Sequence, residues 1–136
     1  MRPSISFITL TVSNLERAVA FYRDGLGWPT EGIVGEQYEH GAVAFFKLEN
    51  NLTFALWPRT SLASDSGLAM ATPSTSTVLL AHNVATKAEV DQVLQEAHTA
   101  GAKIVKPAAK TSWGGYAGYF MDPEQHLWEV VYNPNL

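Results

Sequence analysis

One plan is written twice along this chain, and the duplication limits its fold more than any other feature. In Ser4–Val12, Ile8, Leu10 and Val12 alternate with Phe7, Thr9 and Thr11, the period of two expected of a strand. Ser13-Asn14-Leu15-Glu16 follows, a capping-box pattern in which Ser13 caps a helix and Glu16 reaches back. Leu15, Ala18, Val19 and Tyr22 recur at helical spacing, and Gly25 and Gly27 can end the helix. The second copy opens at Thr77–Val84, an apolar strand, and Thr86-Lys87-Ala88-Glu89 repeats the capping box. Val90, Val93, Leu94 and Ala97 repeat the helical spacing, and Gly101 stands where Gly25 stands in the first copy.

Further strands follow each helix. The first half offers Gln37–Leu48, in one or two segments, and Leu52–Trp57, joined at the turn-prone pair Asn50-Asn51. The second half offers Lys103–Lys106, Gly115–Met121 and Leu127–Tyr132, with Asp122-Pro123-Glu124-Gln125 as a turn. Gln125 occupies a turn position that often takes glycine, which leaves the turn type open. Between the copies, Pro58–Ser76 is rich in Ser, Thr, Ala and Pro and reads as a flexible connector or a lid. The organisation expected is a first module over residues 1–60, a linker over 61–76 and a second module over 77–136, within one domain. A sheet with a single helix covers only one of its faces, so the other needs a partner or a ligand. Two such sheets set side by side would curve around a shared cleft.

Composition removes several alternatives. The 136 residues are 46% hydrophobic and 16% charged, enough for a packed core and unlike a disordered chain. Nine Lys and Arg against thirteen Asp and Glu give a net charge of −4 without a basic cluster, which disfavours nucleic-acid binding. No run approaches the roughly 18 apolar residues of a membrane span, and the first residues lack the apolar stretch of a signal peptide. Cysteine is absent, which excludes disulfides, thiolate nucleophiles and Cys-type zinc sites, and a cytoplasmic location is expected. The sequence holds no phosphate-cradling Gly-rich loop, dinucleotide fingerprint or Gly-x-Ser-x-Gly nucleophile elbow.

The stretch from Ile8 to Trp28, with Phe21-Tyr22-Arg23-Asp24-Gly25-Leu26-Gly27 at its end, resembles the opening module of the glyoxalase/bleomycin-resistance/extradiol-dioxygenase superfamily, the vicinal oxygen chelate proteins. Gly115–Val131, around Asp122-Pro123, resembles the last two strands of that family. The resemblance implies an α+β fold of two tandem βαβββ modules, an open barrel-like curved sheet with a shared cleft, and commonly a homodimer. It also implies, for the metal-dependent members, one His or Glu ligand on each of four strands. Here Phe7 falls at the first such position, Leu52–Trp57 offers no donor, and Leu79 falls at the third. Glu129 alone keeps the family residue. His82 is the only other donor on these strands, and the alignment turns it toward the helix, as a buried and satisfied histidine. Two donors are too few for an ordinary site, so no metal cofactor is expected; were a divalent metal to bind, Glu129 and His82 would be its ligands.

On its strand Glu129 shares a face with Leu127 and Val131, and reads as a general base, an orienting anchor or a paired remnant of a metal-binding ancestor. Phe7, Trp57, Leu79, Trp113 and Tyr116 are candidate ligand contacts, although core or interface is the more common place for any one aromatic. Arg59 can clamp an anion or remain a surface residue. His40, His98 and His126 need no role beyond turns and a helix end. The function expected is binding of an apolar or aromatic small molecule without the family metal. The alternative is a lyase, isomerase or dioxygenase acting on vicinal oxygens, with Glu129 as base or metal ligand. Net charge faintly favours a basic ligand.

Overall fold

The computed structural model describes residues 1–70, 72 and 78–136. Two compact units divide the chain, Met1–Thr72 and Pro73–Leu136. Each carries the βαβββ order. The first contains β1 (Phe7–Val12), α1 (Leu15–Val19, continued by a π-helical turn Ala20–Gly25), β2 (Thr30–Val34), β3 (Val43–Lys47) and β4 (Thr53–Pro58). A further helix, α2 (Arg59–Ser66), follows β4. The second contains β5 (Leu79–Val84), α3 (Lys87–Ala100), β6 (Lys103–Lys110), β7 (Tyr116–Met121) and β8 (Leu127–Tyr132). The sheets are mixed and share one topology: β1-β4-β3-β2 and β5-β8-β7-β6, each with its first pair parallel and the rest antiparallel.

In the first unit alternation sends Leu10 and Val12 to the helix side of the sheet, where Leu15, Ala18 and Val19 are also buried. An aromatic cluster fills the rest of that layer. Tyr22 lies 4.9 Å from Phe54, Trp28 lies 5.4 Å from both, and Phe46 lies 5.8 Å from Phe54, all ring centre to ring centre. The π turn places Phe21 and Tyr22 in this layer, and it closes when the Leu26 amide donates to the Phe21 carbonyl at 2.9 Å. In the second unit Val90, Leu94 and Ala97 of α3 are buried, as are Phe120, Trp128 and Val130 on the facing strands.

Several expected boundaries are corrected. Asn14, not Ser13, caps α1: its Oδ1 accepts the Arg17 amide at 2.9 Å, which starts the helix one residue later. Gly25 stays within the π turn, and Gly27 (φ 75°) ends the run. Gln37–His40 is a turn, held by the Tyr38 amide to the Gly35 carbonyl (3.0 Å) and the Gly41 amide to the Tyr38 carbonyl (3.1 Å). Thr30–Val34, by contrast, is a strand. Gly32 (φ 85°) and a register shift between Thr30 and Ile33 break the alternation that marks strands in a sequence. The connector expected from Pro58 is in part α2, closed by Gly67 at φ 77°. Only Ser61 of that helix is buried, so no apolar stripe announced it. The first residue of the expected strand Thr77–Val84 lies outside the described residues, as do 71 and 73–76 of the linker.

Other local expectations hold. Gln125 takes the left-handed conformation (φ 69°) in its turn, while Asp122 Oδ1 accepts the Glu124 and His126 amides at 2.9 and 2.8 Å. The second capping box is complete. Thr86 Oγ1 accepts the Glu89 amide at 3.1 Å, and Glu89 Oε2 accepts the amides of Thr86 (3.1 Å) and Ala85 (2.7 Å). Thr86→Ala is therefore expected to lower stability by about 1 kcal/mol, read as a shift in the urea midpoint at constant slope. An unchanged midpoint would mean that the box contributes nothing to α3.

Candidate functional site

Strand register decides which side chains share a face. In the first unit Phe7, Thr53 and Lys47 form one row across β1, β4 and β3, and Thr9, Ala55 and Phe45 form the next. These rows lie on the sheet face away from the aromatic cluster. Phe7 and Phe45 meet edge to face, with ring centres 6.1 Å apart and planes at 77°. They remain 55% and 43% exposed, two large apolar rings in contact on one open face. Around them lies a depression of about 700 Å³ lined by Phe7, Pro29, Thr30, Glu31, Gly32, Val34, Phe45, Lys47 and Thr53. That volume is within the range of small-molecule pockets, and all of its lining comes from one unit. Thr30 is already engaged: its hydroxyl donates to the Phe45 carbonyl at 2.6 Å and accepts the Gly32 amide at 3.2 Å.

The other expected contacts do not line this depression. Trp57 is on the same sheet face, but its Nε1 donates to the His40 carbonyl at 3.0 Å, which occupies its one polar group. Arg59 is the first residue of α2. Trp113 lies in the turn between β6 and β7, half exposed, its ring against Gly115 where any side chain would collide with it. Tyr116, expected among the ligand contacts, alternates with Gly118 and Phe120 on the α3 side. There its hydroxyl donates to Asp91 Oδ1 at 2.8 Å, which places it among contacts within the unit and leaves its part in ligand contact open, and this hydrogen bond, followed by burial, raises the phenol above its ordinary pKa.

Leu79 and Glu129 share a face of the second sheet. Glu129 is half-buried and stands in register between Ala81 of β5 and Tyr119 of β7, with Leu127 and Val131 on its own strand. A carboxylate so placed can accept a proton or a hydrogen bond. His82 is in register with Val130, on the opposite face, so the pair Glu129 and His82 cannot close on one ion. His82 is exposed rather than buried, because α3 lies chiefly over β6, β7 and β8 and leaves the edge strand β5 less covered.

The metal that the family resemblance implies can be tested against the donor set. Transferring the second unit's register to the first equates Phe7 with Leu79, Thr9 with Ala81, and Ala55 with Glu129. The four ligand positions thus hold a phenyl ring, a methyl group, an isobutyl group and one carboxylate. Among the described residues no three His, Cys, Asp or Glu side chains converge. These residues do not fit a divalent ion.

Phe45, Lys47, Thr53 and Glu31 were not singled out in the sequence. For Phe45 and Lys47 the signal was the alternation in Val43–Lys47, where they oppose the buried Ala44 and Phe46. Among the described residues no helix is long and apolar enough to cross a membrane.

Comparison with known proteins agrees with this architecture. No curated protein matches the chain. A glyoxalase-related enzyme from Fulvimarina pelagi superposes with a TM-score of 0.82 at 31% identity, over 97% of this chain and 89% of that one. A glyoxalase/bleomycin resistance protein/dioxygenase from Nocardioides gives 0.78 at 25% identity, over 97% and 84%. A lactoylglutathione lyase from Agrobacterium tumefaciens shares the fold, with a TM-score of 0.69 at 22% identity over 98% and 96%. Residues 4–130 match the family as a whole, and with the duplicated βαβββ units this places the chain in the glyoxalase/bleomycin resistance protein/dioxygenase superfamily.

Proposed function

We propose that this chain is a small-molecule-binding member of its superfamily that holds an aromatic-bearing ligand without a metal ion. The observation that carries this reading is the depression on the first unit, with Phe7 and Phe45 exposed in its wall. Covering those rings removes apolar surface from water, at about 25 cal/mol per Å². The donor set supports the metal-free part of the reading. An aromatic side chain stands at one of the family's ligand positions and converts it from a charged anchor into apolar contact surface.

The test is equilibrium binding of a panel of mono- and bicyclic aromatic compounds to protein dialysed against EDTA. Phe45→Ala is expected to weaken the best binder at least roughly tenfold, from the apolar area lost. Because Phe45 is already half exposed, the variant should keep its fold, which a thermal melt checks. Affinity should change less than about twofold between EDTA-treated and metal-replete protein, since no ligand group is held by a metal. Binding lost in EDTA and restored by a divalent ion would overturn the reading.

A further inference from the structure

Two groups in the depression bear on what kind of molecule it takes. The Lys47 ammonium makes no ion pair or hydrogen bond with any described residue. It rises from β3, one strand in from the edge, on the same face as Phe45 and directly opposite Thr53 in register. The Thr53 hydroxyl is likewise unengaged among the described residues, in contrast to that of Thr30. An ammonium and a hydroxyl donor therefore stand side by side next to the aromatic pair. Glu31 also lines the depression, from the edge strand β2. Both charges are exposed, but Lys47 shares the row of Phe7 and Thr53, so a ligand over Phe7 whose polar end reaches Thr53 covers Lys47. Covering an unpaired ammonium is costly unless the ligand brings a counter-charge.

We propose that the ligand is an aromatic carboxylate, its ring against Phe7 and Phe45 and its carboxylate accepting from Lys47 and Thr53. This rests on the reading that the depression takes a small molecule. It replaces the faint preference for a basic ligand drawn from net charge, because a local cation outweighs a net charge spread over the surface and screened by salt. A planar carboxylate offers two acceptor oxygens, enough for both donors at once.

Three probes of one shape separate the possibilities: 2-naphthoate, 2-naphthylmethanol and 2-naphthylmethylamine, titrated by calorimetry at pH 7 in moderate salt. The expected result is that naphthoate binds at least about tenfold more tightly than the alcohol, a typical margin for a charge-assisted contact. Lys47→Gln should abolish that preference, weakening naphthoate far more than the alcohol, Lys47→Arg should retain most of it, and Phe45→Ala should weaken both compounds alike. Equal binding of acid and alcohol, both weakened by Phe45→Ala, would overturn the carboxylate assignment and leave the pocket standing. Tighter binding of the amine would overturn it too and give Glu31 the controlling charge. If none of the three binds, or Phe45→Ala changes nothing, the pocket itself falls and the assignment with it, as it would were this face covered by a second copy of the chain.

Discussion

Phe54→Ala is expected to destabilise the protein by about 3–5 kcal/mol, the usual cost of removing a phenyl ring from a closed core. Phe54 is fully buried at the centre of a four-ring cluster, with Tyr22, Trp28 and Phe46 centred 4.9, 5.4 and 5.8 Å away. Those neighbours come from the π turn, the segment before β2, and β3, so no single element can move to fill the space. For a chain of this size the loss corresponds to a fall in Tm of roughly 10–20 °C. Phe45→Ala is the internal control. It removes the same ring from the opposite face of the same sheet, where the ring is already half exposed, and should cost about 1 kcal/mol or less. Similar Tm values for the two variants would contradict the division into a packed face and an open one.

Gly118→Val should be nearly as damaging, through overpacking. A Cβ at Gly118 would stand 2.6 Å from Leu94 Cδ1 and 3.0 Å from both the Ala108 amide nitrogen and the Lys106 carbonyl oxygen. The Leu94 side chain can rotate away, but the two backbone atoms belong to β6 where its register with β7 shifts between Lys106 and Ala109. Glycine at this position lets the shifted strand approach and lets α3 settle on the sheet. Valine is expected to cost about 3 kcal/mol, measured as a reduced urea midpoint. Adding Leu94→Ala should recover little, since the backbone contacts remain. Full recovery in the double variant would show that the helix contact, not the shifted strand, demands glycine here.

The parts of this molecule legible in the sequence are those fixed by local chemistry. Thr86 and Glu89 form their capping box within four residues, and Gly101 closes α3 in the left-handed conformation at φ 112°. The duplicated order of elements was legible for the same reason. At Ser13-Asn14 two residues able to cap stand together, and only the backbone geometry selects Asn14. β2 and α2 were hidden because neither carries its period: one is interrupted by Gly32, and the other buries a serine rather than an apolar stripe.

Site residues were harder to read because membership depends on pairing between distant strands. In Tyr116–Met121 both faces of β7 carry aromatic residues, Tyr116 and Phe120 on one and Tyr119 on the other. Alternation alone could not say which face meets α3, so it could not place Tyr116 on one side or the other. Phe45 and Lys47 become neighbours of Phe7 only through β4, whose Thr53 and Ala55 stand between them in register. Phe7 was identified through its place in the family pattern. Its partners required the sheet.

Metal-independent binding in the first unit is tested most directly by heteronuclear NMR on EDTA-dialysed, isotope-labelled protein titrated with 2-naphthoate. Saturable shifts should concentrate on Phe7, Glu31, Phe45, Lys47 and Thr53, and should be the same after a divalent ion is added. Shifts that appear only with the ion, or that centre on Glu129 instead, would contradict the account and return the chain to metal-dependent chemistry.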